Sequence, residues 1–210
     1  AIYLKEMNTD KLKSFAKPIA NIYVTANQDN SKLDNKYTES VNDDSNGSNT
    51  VHNTTPDVKP VKQDLSESDQ DINGQDIKPG TTMKYKLTWD LSGLKDVAFS
   101  DDLLSKGLSF SDDYDETKLN VTAKTKTDFT VIDLDTKNSV TSDTTVTWDE
   151  KGGKWTVKAN DPKAFLKEHS GHQLAIIFRP VVKNDATGAL INTAVQNNFG
   201  QEYKTQTVKN

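Results

Sequence analysis

The chain has 210 residues, of which 33% are hydrophobic and 27% charged, and it carries a net charge of -5. With 31 acidic residues against 26 basic ones, and Arg179 the sole arginine, it lacks the basic patch that nucleic-acid binding needs, and its charge has the wrong sign for an anionic membrane surface. The absence of cysteine excludes disulfides, zinc–thiolate centres and thiol catalysis together, and three histidines (His52, His169, His172) leave little for a His-rich metal site or a Ser-His-Asp arrangement. No apolar run approaches the length of a membrane-spanning helix. The chain opens at Ala1 without a methionine, and we expect a piece of a longer protein with its targeting and anchoring segments elsewhere.

In chain order, residues 1–26 have a helix-like start (Ile2, Tyr3, Leu4, Met7, Leu12, Phe15), then Pro18 and a strand-like run from Ile19 to Ala26. Residues 27–57 hold only Leu33, Tyr37, Val41 and Val51 as apolar side chains and read as loop, edge strand or linker. From about Thr55 the pattern is that of a β-domain. A first strand spans Val58 to Leu65. In the next, Met83, Tyr85, Leu87, Trp89 and Leu91 alternate with Lys84, Lys86, Thr88 and Asp90, predicting one buried and one wet face.

Ser142–Trp148 and Lys154–Ala159 predict a hairpin about Glu150-Lys151-Gly152-Gly153. Asp161 as N-cap, Pro162 at the first helical position and Gly171 at the stop predict a short helix. Leu174–Val182, Ala189–Val195 and Tyr203–Val208 complete the strands. Strand after strand separated by turn signals predicts an antiparallel β-sandwich with one or two short helices.

The two ends echo one another. Ala1-Ile2-Tyr3-Leu4-Lys5-Glu6 resembles Ala164-Phe165-Leu166-Lys167-Glu168, and Ser48 to Asn53 matches Thr205 to Asn210, a register that aligns Asn35 with Asn192. Residues 1–54 then read as the C-terminal portion of a preceding repeat plus linker, and 55–210 as one complete repeat of a tandem array.

Four words occur in order: Thr88-Trp89-Asp90-Leu91, Phe110-Ser111-Asp112-Asp113-Tyr114-Asp115-Glu116-Thr117-Lys118, Asp161-Pro162-Lys163-Ala164-Phe165 and Asn197-Asn198-Phe199-Gly200-Gln201. They make the chain similar to the C-terminal repeat domains of the antigen I/II surface adhesins of Gram-positive bacteria. That resemblance implies a variant immunoglobulin-like sandwich from a wall-anchored extracellular protein. It also implies an intramolecular Lys–Asn isopeptide bond, often a calcium ion, and a host glycoprotein or other surface ligand, with no enzymatic activity beyond self-cross-linking. The family pattern puts the lysine on the first strand, the acid on a middle strand and the asparagine on a late one. It points here to Lys62, with Lys59 as the alternative, to Asp101 as the promoting acid and to Asn192. Asn35, whose lysine would lie upstream, is expected to stay unreacted.

Asp112, Asp113 and Asp115 are the candidate calcium ligands, since clustered carboxylates suit a hard cation; a solvated acidic loop is the alternative. Trp89, Trp148 and Trp155 read as core, or else as a sugar-stacking platform in a calcium-assisted carbohydrate-binding module. Carboxylate pairs at glycosidase separation are expected by chance alone in so acidic a chain.

Overall fold

The computed structural model describes residues 32–36, 38–41, 44–47, 50–54 and 57–210. The helix-like start and strand run expected within residues 1–26 lie outside these. In the N-terminal stretch, β1 (Lys32–Asn35) pairs antiparallel with β4 (Val51–Thr54), and β2 (Thr38–Val41) with β3 (Asp44–Gly47). Asn35 contributes its backbone to β1, while its side chain falls outside the described residues.

The remainder is the expected antiparallel sandwich. One sheet has four strands in the order β5 (Val61–Leu65), β6 (Lys84–Asp90), β12 (Gln173–Phe178) and β9 (Thr130–Asp133). The other has five, in the order β10 (Thr144–Asp149), β11 (Lys154–Ala159), β7 (Leu108–Asp113), β15 (Ala194–Asn198) and β16 (Gln201–Lys204). Two small pairs close the ends: β8 (Leu119–Asn120) with β13 (Val181–Val182), and β14 (Ile191–Asn192) with β17 (Val208–Lys209).

Aromatic rings fill the space between the sheets. Trp89 on β6 packs edge-on to Phe110 on β7, and Trp155 on β11 packs against both Phe110 and Phe178 of β12. Trp89 and Trp155 are fully buried. Trp148, opposite Trp155 in the hairpin register, packs half-buried on Phe129 and Phe178. All three tryptophans are therefore spent on packing, and the sugar-stacking platform does not form.

Two local expectations need correction. The outward face of β6 is not wet: Lys84, Thr88 and Asp90 are buried, because Asp69 pairs with Lys84 and the Lys59 backbone N–H reaches Asp90. The segment around Asp101 is not a strand but helix α1 (Asp101–Ser105). The Ser100 side chain accepts from Leu103 N, and Asp101 and Asp102 occupy the first turn, where negative charge meets the positive end of the helix. A second short helix, α2 (Ala123–Thr127), carries a reciprocal Thr122–Thr125 cap. Helix α3 (Pro162–His169) starts as the sequence predicts, with the Asp161 carboxylate accepting from Lys163 N and Ala164 N.

Candidate functional site

Strand β5 lies at the edge of the four-stranded sheet, and its alternation turns Lys62 and Asp64 inward while Gln63 faces solvent. The Gln206 side chain replaces a neighbouring strand on the open edge, accepting from Lys62 N at 3.3 Å and donating to Lys62 O at 2.6 Å. On the opposing sheet, Leu108, Phe110 and Asp112 share the buried face of β7. Asn192 enters from β14, held by pairing to Val208.

These three side chains meet in a dry core. Lys62 and Asp112 are both 0% exposed, and Asn192 is buried. Lys62 Nζ lies 2.5 Å from Asp112 Oδ2, and Asn192 Nδ2 donates to the same oxygen at 3.4 Å. The Tyr85 ring sits beneath the amine, 4.6 Å from Nζ to its centroid. Asp112 Oδ1 and Asn192 Oδ1 are buried with no hydrogen-bond partner. A proton on Asp112 would give this orphaned pair a donor.

Burial sets the charge state. Desolvation pushes the Lys62 amine down from its ordinary value, outweighing the pull of Asp112. The same desolvation pushes the Asp112 carboxyl up, outweighing Lys62. Both displacements favour the neutral pair, a free amine beside a protonated acid, over the ion pair.

The expected residues thus divide. Lys62 and Asn192 are brought together, whereas Lys59 is exposed and pairs with Asp57 on the surface. Asp101 is exposed in the first turn of α1, so it does not share the core that encloses Lys62. The carboxylate facing the amine is Asp112, a residue of the acidic run expected to hold calcium. The acidic run does not fit a calcium ion: Asp112 points into the core, Asp113 points out to solvent, and the Asp115 carboxylate is engaged by Thr117 and Lys118. Among the described residues these carboxylates do not gather; Asp133, His169 and His172 do. Signals for Asp112 were available, since it lies at i+2 from Phe110 and i−2 from Tyr114, both buried.

Asp64, on the strand that carries Lys62, is a further inward-facing carboxylate, one that no motif in the sequence marks. It is 0% exposed, and burial raises its pKa from 3.8 to about 6 against the opposing effects of Asn210 and Lys62. A raised carboxyl pKa means the folded state keeps a proton that the unfolded chain has released. Stability from this group therefore falls as pH rises from about 4 to about 6 and stays down above that. Thermal melts of Asp64→Asn across this window are expected to lack that component of the decline. Parallel wild-type and variant curves would show Asp64 ionised in the folded protein.

The model of the cell surface antigen I/II C2 terminal domain matches residues 60–210. The chain belongs to the antigen I/II family. It is 38% identical over 180 residues to the aggregation substance of Enterococcus faecalis, an alignment covering 85% of this chain and 14% of that protein, so the chain spans a small part of its relative. Among solved structures, the C-terminal domain of the Streptococcus agalactiae AgI/II polypeptide BspA superposes with a TM-score of 0.63 at 27% identity, over 72% of this chain and 48% of that one. The C-terminal domain of the Streptococcus pyogenes antigen I/II-family protein AspA shares the fold, with a TM-score of 0.62 at 20% identity, covering 73% of this chain and 52% of that one. The antigen I/II domain seen here is thus an adhesin-type surface-protein domain. None of its described helices is long and apolar enough to cross a membrane.

Proposed function

We propose that residues 60–210 form a self-cross-linking stalk module, in which Lys62 and Asn192 join as an amide with Asp112 as the proton shuttle. The observation that carries this is the dry convergence of Lys62 Nζ and Asn192 Nδ2 on one Asp112 oxygen. In the neutral pair, the Lys62 lone pair attacks the Asn192 carboxamide carbon while the Asp112 acid proton stabilises the developing oxyanion. Asp112 then gives that proton to the departing nitrogen and takes one from the attacking nitrogen. The C–N bond to Lys62 forms, the C–NH2 bond of Asn192 breaks, ammonia leaves, and Asp112 ends protonated as it began. Intact mass under denaturing conditions is the test: one ammonia, about 17 Da, is expected to be missing from the purified chain. The full mass would refute the cross-link.

The bond would run from the first strand of the sandwich to a strand near its end, so tension entering at β5 and leaving at β17 bypasses the intervening chain. Large exposed hydrophobic side chains among the described residues are confined to Val97 and Ile191, which favours a spacer over a module gripping its ligand through an apolar patch. In this reading residues 1–54 are the end of a preceding repeat, the parent protein is displayed on a cell wall, and its binding head for host glycoprotein or another surface lies elsewhere. The start of the family match at residue 60 supports that division. Binding by this repeat itself would instead appear as retention of the isolated domain on a glycan or host-protein surface. Calcium dependence of that retention would favour the carbohydrate-binding alternative.

A further inference from the structure

The chain has few histidines, yet two of its three converge. His169 closes α3, and His172 precedes β12. Between them Gly171 has φ +89°, a backbone conformation that glycine adopts without strain, and it turns the chain so that both rings address the same point. That point is Asp133 Oδ2, at the end of β9: His169 Nδ1 lies 3.0 Å from it and His172 Nδ1 2.8 Å. Asp133, His169 and His172 each offer one ligand atom that lies within 4.8 Å of the other two.

We propose that Asp133, His169 and His172 form a binding site for a borderline divalent transition-metal ion, zinc foremost. Two imidazole nitrogens and one carboxylate oxygen match zinc chemistry, whereas calcium and magnesium take oxygen ligands. Ligand atoms around a tetrahedral zinc stand about 3.3 Å apart, close to the 3.0 and 2.8 Å that separate the two imidazole nitrogens from Asp133 Oδ2. The surroundings hold the ligands in place. Asp133 Oδ1 accepts from Asp135 N and Thr136 N, which leaves Oδ2 for the ion. His169 packs edge-on to Phe165, and its far nitrogen Nε2 faces the Asp143 carboxylate at 3.8 Å, the side from which an outer carboxylate orients a metal-bound imidazole. Leu91 donates to His172 O and accepts from Gly171 N, fixing the loop to the end of β6. Asp133 is 0% exposed, but the His172 side chain is 29% exposed, which gives the ion a route in and leaves its remaining positions to water. The bound ion would tie β9 to the α3–β12 connection, and it is independent of the Lys62 cross-link.

The test is zinc binding by the tag-free 210-residue chain, followed by native mass spectrometry and thermal melts, with cobalt absorption as a reporter of coordination. One zinc per chain is expected. At a hundredfold excess of zinc over Kd, Tm should rise by about 5 °C or more, whereas calcium at the same concentration leaves Tm unchanged. His172→Ala, at the most exposed ligand, should weaken zinc binding at least about tenfold and remove the visible cobalt bands, without changing the Tm measured in chelator by a comparable amount. Asp133→Asn should do the same to binding. Failure of the wild-type chain to bind zinc or cobalt at about 100 μM would overturn the site and leave the three residues as a hydrogen-bonded cluster. Undiminished binding in both variants would also overturn it, by placing the ion elsewhere.

Discussion

Replacing Asp112 with Ala is expected to return the chain to the mass its composition demands, while Asp101→Ala leaves the one-ammonia deficit in place. The argument rests on solvation. Attack of an amine on a carboxamide needs a neutral nucleophile and an acid that can polarise the carbonyl, and neither persists in water at neutral pH. Around Lys62 the core supplies both, because desolvation lowers the amine and raises the acid. Asp101, exposed on α1, has no part in that exchange. Lys62→Ala and Asn192→Ala should also abolish the deficit, and Lys59→Ala should not. Asp112→Asn separates proton transfer from packing: it keeps the volume and removes the acid, so a folded chain at full mass is expected. A persistent deficit in Asp112→Ala would assign the proton shuttle to another group, with buried Asp64 the first to test.

The second large effect is on stability. Asn192→Ala removes the cross-link without leaving a charge unpaired, since the Lys62–Asp112 contact stays intact. The lost constraint closes a loop of about 130 residues, which chain-entropy reasoning values at about 5 kcal/mol. For a domain of this size that corresponds to a fall in Tm of roughly 10–20 °C. The fall should come with faster proteolysis of the unfolded ensemble and no change in the native circular-dichroism spectrum. Lys62→Ala should cost more than Asn192→Ala, because it also strips the partner from a buried carboxyl and opens a cavity beside Tyr85. Equal melting temperatures for wild type and Asn192→Ala would remove the cross-link as a source of stability.

What the sequence determined by itself was local. The alternation of Met83 to Leu91 is β6, the tryptophan-flanked turn is the β10–β11 hairpin, and Asp161-Pro162 opens α3, because each depends on residues a few positions apart. Asn192 is legible in the same way, sharing a face with Leu190 and Ala194, whereas the choice of Lys62 over Lys59 rests on the family pattern and not on alternation. The acid was not legible. Asp101 and Asp112 each lie beside apolar residues at the spacing of a strand, and alternation alone cannot rank them. Ser100 decided one locally, by capping a helix that carries Asp101 into solvent. The other was decided by the fold, where antiparallel pairing of β7 with β11 and β15 sets the inward face of Asp112 opposite β5 across the sandwich. Asp133 likewise meets the two histidines only because β9 pairs with β12 in a register that sets Asp133 against Leu174, two residues beyond His172. Such contacts join residues far apart in sequence, and their partners are chosen by sheet register and burial, which no short window of the chain contains.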